Sequence, residues 1–487
     1  MTKPTRARRL GAAAAVATAV TAVSATGLAA AAPASAAVRS PWTQLSTGEG
    51  VGLSAEPSVA RWGQQLVTAW AQTTSPTSES LHTRVLDRLG RPAGAIGTVA
   101  TWSDVTDPSV LTLAGVPTVV FGGLRSLDTN DPYTGPMAYA QAPDATSWSL
   151  GAGSLTQTHD AYGAYGLGAV DDGTGSPVVA LAASSTDHVT VHHGIDPAVP
   201  AAAPDEEVAG TVEAQQVNLA KDPLTGNAYA VWYAARDEAN EGVRAAQVWP
   251  TVGAPTAPAP LSTVAFQGAR ESVNPGQRVA VAGRVGGGVW AAYASGYPSA
   301  HRLVLWDVVS GRTLSLPRRG AVQYVGLSPA PGGRLWVWWV EGPTVYAART
   351  NPAVTAFGAV RAVAAPGGWS PTRTAGDGSL GPLDVVVNSA ADGVHSQIRT
   401  TRILEALTVT VSPSSLATTA RRRAVTVSVT DAGVPVAGAT VRVGPRTAVT
   451  GRGGRARLVV PRTPAGTTTV VARAAGYAPG SAPLRVR

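Results

Sequence analysis

Residues Tyr229-Ala230-Val231-Trp232-Tyr233 form a short, strongly hydrophobic stretch that follows the turn Asp222-Pro223-Leu224-Thr225-Gly226-Asn227. The same pattern of a Gly/Pro/Asp turn and a strand rich in Val, Ala and Trp returns roughly every fifty residues. Its other copies are Leu66–Trp70, Thr118–Phe121, Val178–Leu181, Val289–Tyr293, Leu335–Trp339 and Leu383–Val387. Repeats of this length are typical of propeller blades. We therefore expect an all-β fold with a seven-bladed β-propeller.

The first strand of each repeat is expected to line a central channel. These predicted strands begin near Pro57, Pro108, Tyr165, Gln216, Arg278, Gln323 and Pro371. The last repeat ends with Ile398–Ile403 and is one strand short. Trp42–Leu45 is its expected fourth strand, because adding this segment would close the ring and remove two exposed sheet edges.

From Leu404 onward the sequence changes to β-branched alternation, as in Leu407–Val411 and Val425–Val429, which predicts a small antiparallel sandwich. Its turn-forming segments resemble those of bacterial extracellular Ig-like domains of the carboxypeptidase-regulatory type; they are Pro435–Val441, Thr450–Ala456 and Ala475–Tyr477. This resemblance implies an accessory module for adhesion or spacing. The expected organisation is a signal peptide at 1–36, a propeller at 37–403 and an Ig-like sandwich at 404–487.

The N-terminus has the composition of a secretory signal peptide. Lys3 and three arginines up to Arg9 precede an Ala/Val run from Leu10 to Ala32, and Ala34-Ser35-Ala36 is a small-residue cleavage signature. A membrane anchor is the alternative, because the run is long enough to span a bilayer. Its Ala-rich composition favours cleavage after Ala36 instead. We expect a secreted protein, extracellular or associated with the cell wall, with no membrane span after cleavage.

The net charge of +8 is unevenly distributed. The predicted signal peptide contributes +4, and the segment from Leu404 to Arg487 contributes +10, with twelve arginines against only Glu405 and Asp431. The body between them is acidic, which disfavours nucleic acid as a partner. The basic C-terminal segment suits anionic envelope polymers. The chain has no cysteine, which excludes disulfides and thiolate chemistry.

Acidic residues directly before two of the predicted channel strands are the first candidate ligand contacts. Glu56-Pro57-Ser58-Val59 and Asp107-Pro108-Ser109-Val110 are the closest internal match, and the loops before such strands often face a binding site. The alternative is that an acidic residue before proline begins a turn and caps a backbone amide. Further candidates in corresponding loops, which together would form a charged ring at the channel mouth, are His159, Asp160, Arg270, Glu271, Arg318 and Arg319.

We predict no metal site and no cofactor. His188 and His192 would lie about 13 Å apart along a strand, and His193 would point to the opposite face. The oxygen-rich clusters Asp128-Thr129-Asn130-Asp131 and Asp171-Asp172-Gly173 are read as plain turns, with Ca²⁺ as the alternative. Trp336-Val337-Trp338-Trp339 is expected to pack between blades; a sugar-stacking platform is its alternative.

The turn and strand at 222–233 resemble the repeats of sialidase-like bacterial propellers, and the similarity extends weakly over residues 40–403. The resemblance implies an exo-acting glycoside hydrolase, but the Ser-x-Asp-x-Gly-x-Thr-Trp turns of sialidases are missing. We therefore expect a non-enzymatic, monomeric propeller that binds glycans or envelope and matrix polymers. A sialidase-type hydrolase and an extracellular protein-interaction scaffold are the alternatives.

Overall fold

A computed structural model of the chain describes residues 41–48, 50–52, 55–125, 137–151, 166–182, 188–193, 206–211, 214–234, 242–258, 277–296, 300–391, 396–419, 423–461 and 464–487. All regular elements in these ranges are β-strands, which confirms the all-β prediction. The predicted signal peptide lies outside them. No described segment forms a helix with the length and hydrophobicity needed to span a membrane.

The strands before residue 404 are, in chain order, β1 (Thr43–Gln44), β2 (Ser58–Trp62), β3 (Gln65–Ser75), β4 (Ser78–Leu86), β5 (Pro92–Trp102), β6 (Asp104–Leu113), β7 (Val116–Leu124), β8 (Ala138–Gln141), β9 (Ser149–Leu150), β10 (Leu167–Asp171), β11 (Pro177–Ala182), β12 (Val189–His193), β13 (Glu206–Glu207), β14 (Ala214–Lys221), β15 (Ala228–Ala234), β16 (Gly242–Trp249), β17 (Ala280–Gly283), β18 (Val289–Ser295), β19 (Arg302–Asp307), β20 (Thr313–Pro317), β21 (Gln323–Ala330), β22 (Arg334–Glu341), β23 (Thr344–Arg349), β24 (Arg361–Ala364), β25 (Ser370–Asp377), β26 (Leu383–Ala390) and β27 (Ser396–Ile403).

Within the described ranges these strands form seven small antiparallel sheets in chain order. Sheets 1 to 7 are β2-β3-β4-β5, β6-β7-β8-β9, β10-β11-β12-β13, β14-β15-β16, β17-β18-β19-β20, β21-β22-β23-β24 and β25-β26-β27-β1. The first strand of each sheet contacts the first strand of the next, and β25 of sheet 7 contacts β2 of sheet 1. The seven first strands therefore follow one another in a closed sequence.

Hydrophobic cores lie between neighbouring sheets. One cluster joins each of the pairs 1–2, 2–3, 3–4, 4–5, 5–6, 6–7 and 7–1. Side chains alternate between the two faces of a strand, so the second strands, which are buried on both faces, contribute to two clusters each. In β22, for example, Val337 and Trp339 pack toward sheet 5, whereas Trp336 and Trp338 pack toward sheet 7.

The tryptophans of β22 are core residues, as predicted. Trp336, Trp338 and Trp339 are at most 2% exposed. The Trp338 ring N–H donates to Thr374 Oγ1 of sheet 7 at 3.1 Å. A Cβ atom at Gly326 would lie 2.0 Å from the Trp338 ring, so this position in β21 has space only for glycine. The indole therefore fills the space between sheets 6 and 7 and keeps its polar atom paired.

The segment before β2 completes sheet 7, which confirms the pairing expected for Trp42–Leu45. Thr43 pairs with Thr400, and Gln44 pairs with Arg399. The Trp42 ring N–H donates to the carbonyl of Ala364 at 2.7 Å. Leu45 is fully buried in the core between sheets 7 and 1. The first described residues of the chain are thereby joined to a strand that ends near residue 403.

The remaining strands are β28 (Glu405–Ala406), β29 (Thr408–Ser412), β30 (Ser415–Leu416), β31 (Ala424–Asp431), β32 (Val434–Pro435), β33 (Thr440–Val443), β34 (Arg446–Val449), β35 (Arg455–Val459), β36 (Gly466–Arg473), β37 (Tyr477–Ala478) and β38 (Gly480–Val486). One sheet has the order β29-β31-β32, with β35 also paired to β31, and another has the order β30-β38-β36-β33-β34. Both contribute to one core of Val, Leu and Ala side chains. We call residues 404–487 the C-terminal module.

Buried ion pairs connect the C-terminal module to sheet 6. The Arg349 guanidinium contacts the carboxylates of Glu405 and Asp431, and Arg334 Nη1 lies 3.2 Å from Asp431 Oδ2. Tyr477 also contacts this group, with its ring centroid 5.8 Å from the Arg349 guanidinium carbon. Burial raises the pKa of Glu405, and the positive charge of Arg349 opposes that rise. These contacts fix the module against the sheet through paired charges.

Leu45→Ala is expected to lower the free energy of unfolding by about 2–5 kcal/mol, because it leaves a cavity in a fully buried core. The measurement is urea denaturation followed by tryptophan fluorescence. Thr43→Ala is the control at an exposed position of the same segment, in strand β1, and should change stability by less than about 0.5 kcal/mol. Equal effects of the two substitutions would contradict a structural role for the closing segment.

Arg349→Met is expected to destabilise the protein by about 3–5 kcal/mol, because two carboxylates would remain buried without their main partner. Arg302→Met, at an exposed position of β19, serves as the control and should be nearly neutral. Denaturation curves of both variants test this expectation. A neutral Arg349→Met would show that the module is not held by these ion pairs.

Candidate functional site

Backbone irregularities occur in the first strands of four sheets. The pairing register shifts in β6, β14, β21 and β25, close to the beginning of each strand in the last three cases. Asp107, Gln216 and Tyr324 lie in these bulges with left-handed backbone angles, φ 44°, 57° and 47°. Such conformations cost free energy in residues other than glycine and are frequent at functional sites. The repeated bulges therefore mark the first strands, near where they begin, as a candidate site.

A buried polar network lies at the same ends of the first strands. Glu56 precedes β2, and its Oε2 accepts a hydrogen bond of 2.7 Å from the backbone N–H of Arg278. Glu56 Oε1 accepts one of 3.2 Å from Gln277 Nε2 and also lies 3.2 Å from Arg278 Nε. Burial raises the pKa of Glu56, while the charge and hydrogen bonds of Arg278 oppose the rise. Both partners of Glu56, Gln277 and Arg278, therefore lie just before the first strand of sheet 5.

Gln277 and Arg278 extend the network to two further sheets. Arg278 Nη1 donates to the carbonyl of Leu167 in sheet 3 at 2.9 Å. Gln277 forms two hydrogen bonds of 3.0 Å with the backbone of Thr374 in sheet 7. The network therefore connects sheets 1, 3, 5 and 7, whereas the left-handed residues Asp107, Gln216 and Tyr324 belong to sheets 2, 4 and 6.

A chamber of about 190 Å³ adjoins this network. All seven first strands contribute to its wall. The lining includes Ser58, Ser109, Asn218 and Trp338, together with Gln277 and Arg278 of the network. The Ser58 and Ser109 hydroxyls accept hydrogen bonds from backbone N–H groups of the next sheets, at 2.9 and 3.2 Å. The chamber is a polar cavity where the seven first strands meet.

Asp107 is a second carboxyl in the electrostatic neighbourhood of this network, and it does not belong to the lining of the chamber. It is partly accessible to solvent although surrounded by protein. Burial raises its pKa to about 6; Arg278 and Arg373 oppose the rise, whereas Glu56 and Asp104 add to it. A carboxyl that titrates near neutral pH, in a strained backbone position and beside two guanidinium groups, has the properties of functional-site residues. It accepts hydrogen bonds when ionised and donates one when protonated.

An aromatic and a cationic side chain complete the site. The guanidinium carbon of Arg373 lies 5.3 Å from the centroid of the Tyr324 ring, which is within the range of a cation–π contact. Arg373 Nη1 also donates to the carbonyl of Thr372 at 2.6 Å. Tyr324 is partly exposed, and Arg373 is buried. The site thus combines a carboxyl, a guanidinium and an aromatic ring.

The structure brings Glu56 and Asp107 into one electrostatic neighbourhood. The interpretation of Asp107-Pro108 as the beginning of a turn is wrong, because Asp107 lies within β6. Glu56 does cap a backbone amide, but that amide belongs to Arg278, far away in the sequence. The candidates His159, Asp160, Arg270 and Glu271 lie outside the described residues.

Arg318 is engaged within the sixth repeat. Its Nε donates to Glu341 Oε1 at 2.6 Å, and its guanidinium carbon lies 4.8 and 5.0 Å from the rings of Trp339 and Tyr346. Arg319 is exposed.

The sequence interpretation missed Gln277 and Arg373 as site residues. For Gln277 the available signal was a long polar side chain just before the apolar strand β17, whereas Arg373 lies in the polar strand β25 and carried no such signal.

The histidines and acidic turns have local partners. His188 Nδ1 contacts the Thr211 carbonyl at 2.5 Å, and His193 Nε2 lies 4.0 Å from Glu206. Asp171 and Asp172 accept hydrogen bonds from the backbone N–H groups of their own turn. Asp128, Asn130 and Asp131 are outside the described residues. Among the described residues, no three His, Asp or Glu side chains are grouped as metal ligands.

No family model matches the chain, and no curated protein sequence matches it. Among solved structures, it is similar to virginiamycin B lyase from Staphylococcus aureus, with 8% identity, a TM-score of 0.43 and coverage of 74% of this chain and 99% of that one. It is also similar to polysaccharide lyase Uly1, with 8% identity, a TM-score of 0.43 and coverage of 71% and 89%. A third similar structure is YCF48 bound to D1 peptide, with 12% identity, a TM-score of 0.42 and coverage of 75% and 96%. Similarity at this level carries no conclusion about activity or ligand.

Asp107→Asn is expected to stabilise the protein at pH 8 by about 1–3 kcal/mol and to have little effect at pH 3. The folded-state pKa, about 6, exceeds the ordinary value of 3.8, so the native state binds more protons between these values. The native protein therefore loses stability as pH rises through this window, and asparagine, which tolerates the left-handed conformation, removes that loss. Urea denaturation at several pH values measures the difference.

Asp144→Asn is the control with the opposite sign. Hydrogen bonds from Ser147 and Thr146 lower the pKa of Asp144, so this carboxylate stabilises the fold above its ordinary pKa and loses the contribution in acid. Its substitution should destabilise at neutral pH and have less effect in strong acid. A parallel pH dependence of the two variants would contradict the raised pKa of Asp107.

Proposed function

We propose that residues 37–403 form a seven-bladed β-propeller that binds a glycan or an envelope polymer at one mouth of its channel, without catalysing a reaction. The closed sequence of contacts among the first strands and the pairing of β1 with β27 support the propeller. The observation that carries the binding role is the grouping of Asp107, Arg373 and Tyr324 beside a buried polar network.

The chemistry of these side chains suits a hydroxyl-rich ligand. A sugar hydroxyl both donates and accepts hydrogen bonds, which a carboxylate and a guanidinium satisfy respectively. The Tyr324 ring offers an apolar surface to the C–H face of a pyranose. Because Glu56 and Arg278 hold one another, the network behind the site is organised before any ligand binds.

A sialidase-type glycoside hydrolase is the second candidate. Asp107 favours it, because a carboxyl with a pKa of about 6 is suited to act as a general acid. Hydrolysis requires a second carboxyl facing the first at roughly 5–10 Å across the bound sugar. Glu56, the nearest buried candidate, is already engaged by Arg278 and Gln277. This engagement favours binding over hydrolysis. An extracellular protein-interaction scaffold is the third candidate.

The proposal includes the rest of the chain. Residues 1–36 are proposed to direct secretion, and the C-terminal module to be an Ig-like accessory domain. Its two sheets around one aliphatic core support this assignment. We also propose that the protein is a monomer, extracellular or associated with the cell wall.

Asp107→Ala is expected to weaken glycan binding by about 10- to 100-fold, because hydrogen bonds to a charged group contribute about 1.5–3 kcal/mol. A glycan array identifies the ligand, and calorimetry with the best ligand measures affinity. Asp144→Ala, at a carboxylate whose hydrogen bonds lie within its own turn, is the control and should bind normally.

A panel of fluorogenic glycosides tests the hydrolase in parallel. If the wild-type protein hydrolyses a glycoside and Asp107→Asn does not, the protein is a glycoside hydrolase and the binding proposal is wrong. Binding that is unchanged in Asp107→Ala would place the ligand elsewhere and contradict the proposed site.

A further inference from the structure

The C-terminal module has an arginine-rich surface at the edge where its two sheets meet. Strands β34 and β35 contact one another there, each at the border of its own sheet. Among the described residues, six exposed arginines lie on these border strands, on the neighbouring inner strands β33 and β36 or in the turns between them, and we call them the arginine edge: Arg442, Arg446, Arg452, Arg455, Arg457 and Arg473.

No acidic side chain of the module can balance this charge. Residues 404–487 contain two acidic residues, Glu405 and Asp431. Both are buried, at 6% and 2% exposure, and both contact Arg349 of sheet 6. The module therefore contributes both carboxylates to the contact with sheet 6, and the charged side chains that its described residues expose to solvent are arginines. Such a surface attracts polyanions over distances of about a Debye length.

Strand register places the charges on regular faces. Arg455 pairs with Ser428, and Arg457 pairs with Thr426, so both arginines lie on the outward face of the β31–β35 pair. They are two residues apart, about 7 Å along the strand. Thr410 of β29 pairs with Ser428, which continues the face with uncharged hydroxyl side chains. Arg455 and Arg457 therefore share this face with the hydroxyl side chains of the neighbouring strands and with the exposed Val459.

The aromatic content argues against nucleic acid as the partner. Single-stranded nucleic acids are held by base stacking on aromatic side chains in addition to phosphate contacts. Tyr477 is the module's one aromatic residue in the sequence, and it packs against Arg349 in the buried ion cluster. The arginine edge thus offers charge and hydrogen bonds without a stacking surface.

We propose that the arginine edge binds a linear phosphodiester polymer that has no nucleobases, such as a polyol phosphate of a cell envelope. Each guanidinium presents parallel N–H groups that match two oxygens of one phosphate. A repeating polymer satisfies several arginines at once and releases counterions from its own charges, so affinity depends steeply on salt. This surface is separate from the channel mouth, and its ligand does not depend on the function proposed there.

Exposed arginines on border strands also prevent edge-to-edge aggregation, which is the alternative role for these residues. The two roles differ in what a charge change alters. If the arginines only prevent aggregation, variants with uncharged residues in their place should self-associate, and the wild-type protein should not bind polyanions. Polymer binding predicts a loss of affinity in a protein that stays monomeric.

The experiment measures binding of the full chain to poly(glycerol phosphate) by fluorescence anisotropy at several salt concentrations. Arg455→Gln/Arg457→Gln should weaken binding at low salt and lower the slope of log affinity against log salt by about two. Arg88→Gln/Arg302→Gln, which removes two exposed arginines outside the module, should leave affinity and slope unchanged. Sedimentation checks that all proteins are monomeric.

Three results would overturn the proposal. Equal losses in both double variants would show a non-specific effect of net charge. Tighter binding to a single-stranded oligodeoxynucleotide of matched charge would indicate nucleic acid. Equal binding to polygalacturonate would show that the surface does not select phosphodiesters. Binding to a glycan by the channel mouth is measured with a neutral ligand, so its failure and the failure of this proposal are distinguishable.

Discussion

The structure depends on seven hydrophobic cores, each shared by two neighbouring sheets. A second strand such as β22 is hydrophobic on both faces, so its sheet can exclude water only when a neighbour lies on each side. This requirement makes an open row of sheets unfavourable, because the two outermost faces would stay exposed. Leu45 and Ile398 meet Leu66 and Trp70 in the core between sheets 7 and 1. The residues of this core are the farthest apart in the sequence.

The same packing accounts for the properties of the centre. The seven first strands line the chamber there, and polar groups are buried in its wall. Burial requires that such groups pair, as Glu56 does with Arg278. The surrounding cores hold the bulges at Asp107, Gln216 and Tyr324 in conformations that isolated strands would not keep. A rigid frame and a strained polar centre are thus two consequences of one arrangement.

The cost of burying an unpaired charge also explains how charge is distributed in the C-terminal module. Its two carboxylates lie against Arg349 and Arg334, where burial makes unpaired charge costly. The six arginines of the arginine edge are exposed, so that solvent stabilises their charge. The sequence shows the excess of arginine, but only the fold separates buried acids from exposed bases.

The repeats could be predicted because hydrophobic alternation and turn residues act over a few neighbours. Trp336 to Trp339 were assigned to the core for this reason, and the pairing of Trp42–Leu45 followed from the missing strand of the last repeat. At the site, local context identified Glu56 and Asp107 as acidic residues before channel strands. It did not show that Asp107 lies in a bulge, nor that Arg373 packs against Tyr324.

The amino-acid sequence by itself determined the all-β character, the period of the repeats and the segregation of positive charge, since each is written in residues close together along the chain. Tertiary structure alone decided which polar groups meet in the centre, because Glu56 and Arg278 are 222 positions apart. Their approach depends on the contacts between the first strands of successive sheets. Burial, and with it the pKa of Asp107 near 6, exists only after that assembly.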